Sequence, residues 1–138
     1  DGLATDDGAA SGGAGASALD VALDAALARA YQRWLVTQTT RAPAPGASGL
    51  LAVPGLYARR APGITCLSAL QAVAAGAVAV GAPAPNGSKG CGGVMRVAPV
   101  GCVDLADPFA VAARAARLTH GHPAGYLSAG AYAAMVHA

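Results

Sequence analysis

The sequence predicts an all-α fold, and two observations support this class. No segment alternates apolar and polar residues with the period of two that a half-buried strand requires. Helix-start signals precede three apolar stretches, at Ser17, at Asp107 followed by Pro108, and at Pro123. The β-prone residues 77–80 form too short and too alanine-rich a run to indicate a sheet.

The first half of the chain predicts two helices. Ser17 is an expected N-cap, followed by an approximate helical stripe of large apolar residues from 19 to 35, with Asp20 and Asp24 near the N-terminal end, where the helix dipole favours negative charge. The Pro/Gly/Ser-rich residues 42–49 end this helix, and a short helical turn is expected over residues 50–59. Residues 64–73 predict the second helix, with Gly76 as its terminator.

Three further helical stretches are expected in the second half. Residues 93–100 predict a short buried helix whose regularity Pro99 limits. Asp107 and Pro108 suit the N-cap and first position of a helix that continues towards Leu118. Pro123 opens the last helix in the same way, and its many glycine, alanine and serine residues would permit close helix packing.

Composition divides the chain into a tail and one domain. The chain is 54% hydrophobic and 12% charged, but residues 1–17 hold hardly any large apolar side chain. Such a segment cannot bury enough surface to offset the entropy lost on ordering. We therefore expect a low-complexity tail over residues 1–17 and a single domain over residues 18–138.

Charge and hydropathy exclude several classes of partner. The net charge is +2, and the nine Lys and Arg residues are scattered apart from Arg59 and Arg60, which is too weak a basic field for nucleic acid. No apolar run reaches the roughly 18 residues of a membrane span, and no signal peptide is visible. We expect a cytoplasmic protein without a nucleic-acid or membrane partner. The cysteines at 66, 91 and 102 have neither zinc-ligand spacing nor disulfide-rich density.

Residues 86–99 are the most informative run because their character changes halfway. Residues 86–93, called the glycine segment below, carry glycines at 87, 90, 92 and 93 around Ser88, Lys89 and Cys91. A glycine-rich turn that leads into a helix start presents free backbone N–H groups at the positive end of the helix dipole. The segment therefore predicts a phosphate or pyrophosphate site, and a flexible loop with a helix cap is the alternative.

Two common phosphate loops do not fit this segment. A Walker A loop requires Ser or Thr directly after its lysine, whereas Gly90 follows Lys89 here. A dinucleotide fingerprint requires a preceding strand, whereas residues 82–85 alternate alanine and proline. Neither the Walker A loop nor the dinucleotide fingerprint therefore explains the glycines of this segment.

Several stretches carry a family resemblance. Residues 88–99 read Ser-Lys-Gly-Cys-Gly-Gly-Val-Met-Arg-Val-Ala-Pro, and residues 115–126 read Ala-Ala-Arg-Leu-Thr-His-Gly-His-Pro-Ala-Gly-Tyr. These resemble two signatures of the ADP-ribosylglycohydrolase family, and residues 30–35 and 59–67 are similar to stretches upstream of its glycine loop, particularly in bacterial members. The resemblance covers most of the chain from residue 19 and implies a compact, orthogonally packed all-helical domain.

The resemblance implies hydrolysis of the N- or O-glycosidic bond that joins ADP-ribose to a protein side chain or related acceptor. Six residues match family positions that line the bound ADP-ribose: Ser88, Lys89, Gly90, Cys91, Gly92 and His120. Cys91 departs from the polar amide of other members, and a thiol is a weak donor. A solvated Lys89, and a His120 favoured only by the helix C-terminus, are the alternatives.

The residues beside these positions are expected to be structural. Met95 is expected in the core. Arg96 is expected as a buried or half-buried partner of backbone carbonyls or of a carboxylate.

The resemblance also implies two divalent ions, Mg²⁺ or Mn²⁺, held by a Thr-Asp-Asp-Thr-type motif near the start and an Asp-x-Asp-Thr/Ser-type motif near the end. Neither is intact. Thr5, Asp6 and Asp7 are the candidate metal ligands, but residues 8–13 do not continue into an apolar helix. We expect a domain incomplete at both ends that binds ADP-ribose and is inactive alone, with its catalytic residues unassigned. A non-catalytic ADP-ribose- or nucleotide-binding module and a gene fragment are the alternatives.

Overall fold

The computed structural model describes residues 17–138, and every regular element in this range is helical. The predicted all-α class is confirmed. The α-helices are α1 (Ala18–Thr39), α2 (Ile64–Ala74), α3 (Ala98–Gly101), α4 (Pro108–Arg117) and α5 (Pro123–His137). Three 3₁₀-helices span Gly49–Ala52, Pro54–Leu56 and Val94–Arg96.

A capping box starts α1, which confirms Ser17 as the N-cap. The Ser17 hydroxyl accepts a hydrogen bond from the Asp20 backbone N–H at 3.1 Å, and the Asp20 carboxylate accepts one from the Ser17 N–H at 3.1 Å. These bonds hold the pKa of the Asp20 carboxyl below its usual range.

The connection from α1 to α2 contains two 3₁₀-helices where the sequence predicts one helical turn. The Tyr57 hydroxyl donates to the Leu51 carbonyl at 2.7 Å and so joins the two 3₁₀-helices. Helix α2 covers the predicted residues and is followed by Gly76 at a φ of +74°, a backbone conformation that favours glycine.

The prediction of one continuous helix over residues 93–100 is wrong. A 3₁₀-helix of three residues, Val94–Arg96, is separated by Val97 from the four-residue α3. Pro99 lies in the first turn of α3, where its missing N–H costs no hydrogen bond. Because so few peptide dipoles are aligned, the expected contribution of a helix dipole to anion binding after the glycine segment is absent.

The start signals of α4 and α5 are confirmed. The Asp107 carboxylate accepts a hydrogen bond from the Ala110 N–H at 2.8 Å, and Pro108 occupies the first turn. Pro123 likewise lies in the first turn of α5. The N-cap of α5 is His122, whose Nδ1 accepts from the Ala124 N–H at 3.0 Å.

The core is built largely from small side chains. One cluster lies among α3, α4, α5 and the residue before α3, and its buried members are Val97, Ala112, Ala115, Ala116, Ala129 and Ala133. Glycine allows the backbones to approach: a Cβ on Gly130 would lie 2.9 Å from the Phe109 carbonyl oxygen. Met95 is 73% exposed, so its predicted place in the core is wrong, and Val97 takes that place at 1% exposure.

A smaller cluster of leucines joins α1 to α2. Its buried members are Leu35, Leu67 and Leu70. Tyr31 of α1 packs against both this cluster and the alanine-rich one. Tyr31 therefore connects the two halves of the interior.

A buried ion pair joins α1 to α4. Asp24, at 7% exposure, accepts two hydrogen bonds from Arg114, with Nε–Oδ1 at 3.0 Å and Nη2–Oδ2 at 2.9 Å. Arg117 Nη2 lies 3.5 Å from Asp24 Oδ2. This bidentate geometry fixes the relative register of the two helices more strictly than apolar contact does.

Replacing Asp24 by asparagine should lower the free energy of unfolding by about 2–3 kcal/mol. The partly buried Arg114 then keeps only the more exposed Asp20 carboxylate, whose Oδ1 lies 3.4 Å from Nη1, as a counter-charge. Urea unfolding followed by circular dichroism measures this. The matched control is Asp104→Asn at an exposed site, which should stay within about 0.5 kcal/mol of the parent. Equal effects of the two variants would contradict a structural role for the pair.

Candidate functional site

Asn86 anchors the start of the glycine segment to the turn after α4. Its Nδ2 donates to the Thr119 carbonyl at 3.0 Å, and its Oδ1 accepts from the N–H groups of Ser88 at 3.1 Å and Gly121 at 3.0 Å. A Cβ on Gly121 would collide with the carbonyl oxygens of Ala84 and Asn86. The close approach of the two turns therefore requires glycine at 121.

Ser88 organises the middle of the segment. Its hydroxyl accepts a hydrogen bond from the Gly90 N–H at 3.3 Å and donates to Thr65 Oγ1 of α2 at 3.4 Å. Its carbonyl faces α5, where a Cβ on Gly125 would lie only 2.6 Å away. The segment is thus held from α2, from α5 and from the turn after α4.

Five backbone donors of the glycine segment make no hydrogen bond among residues 17–138. They are the N–H groups of Gly87, Lys89, Cys91, Gly92 and Gly93. Gly93 is buried, whereas the other four residues are exposed or half-buried. The side chains of Lys89 and Cys91 are exposed. Successive unpaired N–H groups in a tight turn suit an anion, as in the phosphate-binding turns of other proteins.

His120 lies beneath the glycine segment rather than at its surface. It is 1% exposed, and its Nδ1 lies 2.8 Å from Thr119 Oγ1. A Cβ on Gly92 would lie 3.3 Å from Nε2, and one on Gly90 would lie 3.6 Å away. Burial lowers the pKa of His120, and the charge of Arg96 lowers it further, so the imidazole is neutral at neutral pH.

The Arg96 guanidinium joins the glycine segment to the helices behind it. It donates to the Gly92 carbonyl at 3.2 Å, the Ala115 carbonyl at 3.0 Å and Thr119 Oγ1 at 2.6 Å. Its Nε donates to the Tyr31 hydroxyl at 3.0 Å, and its Cζ lies 4.8 Å from the centroid of that ring. The predicted role of Arg96 as a half-buried partner of backbone carbonyls is confirmed.

A cavity of about 400 Å³ adjoins Gly92 and Arg96. Its walls come from α1, from α2 and the residue before it, from the glycine segment and the 3₁₀-helix that follows, and from the turn after α4. They comprise Tyr31, Trp34, Gly63, Cys66, Leu70, Gly92, Met95, Arg96 and Thr119. Of the six predicted ligand residues, Gly92 is the one that lines this cavity. The guanidinium of Arg96 gives its mostly apolar wall a positive charge.

The structure thus brings Gly90, Gly92 and His120 together, while the side chains of Lys89 and Cys91 lie exposed. Sequence reasoning missed Asn86 and Thr119, which hold the segment and His120 in place. The Asn-Gly pair at 86–87 is a turn signal that could have indicated the first. Thr119 has no such local signal.

Residues 17–138 do not fit a metal pair. They contain no group of three or more His, Cys, Asp or Glu side chains close enough to hold an ion. Their carboxylates at 20, 24 and 107 are engaged in caps or in the ion pair with Arg114. The candidate ligands Thr5, Asp6 and Asp7 lie outside the described residues, so the metal prediction stays a prediction.

The fold and these contacts define an all-helical domain that presents a firmly anchored glycine-rich turn beside a partly charged cavity. A sequence model of the family described as ADP-ribosylglycohydrolase matches residues 2–138, and the chain belongs to this family. Searches among curated proteins and among solved structures gave no match. Within residues 17–138, no helix combines the length and hydropathy that crossing a bilayer requires.

Replacing Arg96 by lysine should lower the free energy of unfolding by about 2–4 kcal/mol. A lysine keeps the charge but loses the planar fork that contacts several acceptors at once. Urea unfolding measures the change. The control is Arg29→Lys on the exposed face of α1, which should be nearly neutral, and a small effect at 96 would contradict the central role of this side chain.

The buried imidazole of His120 should make the fold acid-sensitive. Because its pKa is below the usual 6.5 when folded, the unfolded chain takes up the proton first as the pH falls. The contribution of this group to stability is therefore complete above about pH 6.5 and decreases below it, by at most about 1.4 kcal/mol per pH unit.

An NMR titration of the imidazoles and urea unfolding at several pH values test this expectation. His120→Gln should reduce the acid sensitivity, whereas His137→Gln, which leaves His120 in place, should keep it. A His120 resonance that titrates at or above pH 6.5 would contradict the expectation.

Proposed function

We propose that the glycine segment binds the diphosphate of ADP-ribose in a hydrolase that removes ADP-ribose from a modified protein side chain. The observation that carries this proposal is that the N–H groups of Lys89, Cys91 and Gly92 have no acceptor within residues 17–138, in a segment anchored at both ends. A rigid set of donors binds an anion without a large entropic cost of ordering.

The charges around the segment support the same ligand. Within residues 17–138, the acceptors around Arg96 are carbonyls, a thiol and hydroxyls, so no carboxylate neutralises its charge. Arg96 lines the cavity next to Gly92, and Lys89 adds a second positive charge on the exposed side. A diphosphate bound at the segment would supply the missing counter-charge.

Each predicted residue has a role in this proposal. Ser88 holds Gly90, and the N–H groups of Lys89, Cys91 and Gly92 contact phosphate oxygens. The exposed thiol of Cys91 contributes little because it is a weak donor. His120 is a positioning residue that supports the glycines from below, and Gly92 must stay small because a Cβ there would lie 3.2 Å from His120 Cε1.

Glycosidic hydrolysis needs an oriented sugar because positive charge develops on the ribose at the anomeric carbon. Fixing the diphosphate restricts where the attached ribose lies, which is the contribution that residues 86–93 make to the reaction.

Family members are typically metal-dependent, and divalent ions activate water when bound. Residues 17–138 offer no ligand set for them, so Thr5, Asp6 and Asp7 remain the proposed ligands and no step is assigned to the ions. A cytoplasmic location belongs to the same proposal.

A second candidate function is ADP-ribose binding without hydrolysis. The engagement of Asp20, Asp24 and Asp107 in structural contacts favours it, because these side chains are not free to hold ions or activate water. The test is release of ADP-ribose from ADP-ribosylated protein in the presence of Mg²⁺ or Mn²⁺. Release supports the hydrolase, and binding without release supports the module.

Calorimetry with ADP-ribose should show saturable binding that depends on the glycine segment. Gly92→Ala should weaken the affinity about tenfold, because the added Cβ crowds Cys66 Sγ and the His120 ring and displaces the N–H donor. Ser88→Ala and His120→Ala should weaken it about fivefold by loosening the turn.

The matched control is Gly87→Ala in the same segment, where a Cβ meets nothing within 4 Å, and its affinity should equal that of the parent. Unchanged affinity in Ser88→Ala and His120→Ala together would contradict the assignment of the site.

A further inference from the structure

A second cavity, of about 390 Å³, lies between α1 and the segment that connects α1 to α2. We call it the α1 groove. Its walls include Arg33, Trp34, Leu50, Leu51, Leu56 and Arg60. Apolar side chains make up much of its lining, and the two arginines give it a cationic character.

The arginines of the α1 groove have no carboxylate partner within residues 17–138. Arg33 makes no hydrogen bond or ion pair there, and Arg60 donates only to the carbonyls of Gly55 at 3.2 Å and Ala58 at 3.5 Å. A guanidinium has five N–H donors, so most of them are free on both side chains.

The charge distribution along the sequence explains this. Residues 25–103 contain seven of the nine Lys and Arg residues and no Asp or Glu. The four carboxylates in the described part of the chain lie at 20, 24, 104 and 107, in α1 before the groove and near the start of α4. Within residues 17–138, the groove is therefore a cationic site to which no carboxylate is paired.

The groove is preformed and partly apolar. The Tyr57 hydroxyl donates to the carbonyl of Leu51, which lines the groove, and so holds this part of the wall in place. Leu50 is 77% exposed and Trp34 is 37% exposed. An anion alone would leave this apolar surface in water.

We propose that the α1 groove binds an acidic segment of a protein partner. Two carboxylate side chains pair with Arg33 and Arg60 in the bidentate geometry that guanidinium groups favour, and apolar side chains between them pack on Trp34 and the leucines. Nucleic acid fits less well, because two separated arginines are not a phosphate-binding stripe, and Trp34 is the single aromatic side chain among the residues that line the groove.

We identify this partner as the ADP-ribosylated protein, and this identification rests on the proposed function. Trp34 lines both the α1 groove and the cavity next to Gly92. A segment bound in the groove therefore lies beside the cavity into which a modified side chain would lead. The groove would then contribute to the choice of acceptor protein.

The experiment uses Trp34, which is the single tryptophan of the chain, as an intrinsic fluorescence probe. A synthetic peptide of Asp, Glu and Leu without aromatic residues is titrated into the full chain. We expect a saturable change in emission, with an affinity that decreases as salt screens the charges. A peptide with Lys in place of the acidic residues should give no change.

Two double variants make the test specific. Arg33→Gln/Arg60→Gln removes both groove charges and should weaken peptide binding about tenfold. The control Arg29→Gln/Arg59→Gln removes two exposed charges that do not line the groove. Arg29 lies one helical turn before Arg33, and Arg59 is next to Arg60. This variant should weaken peptide binding less than about twofold. Equal losses of peptide affinity in the two variants would show that binding depends on the overall positive charge of the surface, and this result would overturn the proposal.

Other occupants give distinct results. Single-stranded DNA that binds as tightly, with the same dependence on Arg33 and Arg60, would overturn the proposal in favour of a general polyanion site. Sedimentation that shows a dimer dissociated by Arg33→Gln/Arg60→Gln would assign the groove to a second copy. The affinity of Arg33→Gln/Arg60→Gln for ADP-ribose, measured by calorimetry, should equal that of the parent. Loss of peptide binding can therefore be distinguished from failure of the ADP-ribose site.

Discussion

The hydrogen-bonded Arg96 guanidinium is the interaction on which the rest of this structure depends. Its charge cannot be removed by deprotonation, so burial requires acceptors from every direction. They come from α1 through the Tyr31 hydroxyl, from the glycine segment through the Gly92 carbonyl, and from the end of α4 through the Ala115 carbonyl and the Thr119 hydroxyl. Because one rigid fork contacts all of them, the glycine segment has a defined place relative to the helices.

An alanine-rich core makes such polar contacts important. Small side chains let α4 and α5 approach closely, but each buries little apolar area, and helices that meet through alanine can slide past one another at low cost. The pairing of Asp24 with Arg114 fixes α1 against α4, and Asn86 fixes the glycine segment against the turn that follows α4. Directional bonds thus supply specificity that the shape of the core does not.

The uneven distribution of charged residues along the chain affects both the candidate site and the α1 groove. The carboxylates of Asp20, Asp24 and Asp107 form caps or ion pairs at α1 and α4, while the stretch between Asp24 and Asp104 carries only positive charges. Two cavities that share Trp34 are lined by arginines from this stretch. Membership of the ADP-ribosylglycohydrolase family and an anionic ligand are consistent with this distribution.

The sequence by itself determined the all-α class, the family and the helix starts at Ser17, Asp107 and Pro123, because caps and proline act through neighbouring residues. Only the tertiary structure decided the break after Arg96, the exposure of Met95 and the partner of Asp24, which lies 90 residues away. In the site, the sequence indicated the glycine segment and the role of Arg96. The burial of His120 and the anchor at Asn86 depend on where the end of α4 meets that segment, and such long-range contacts have no local signal.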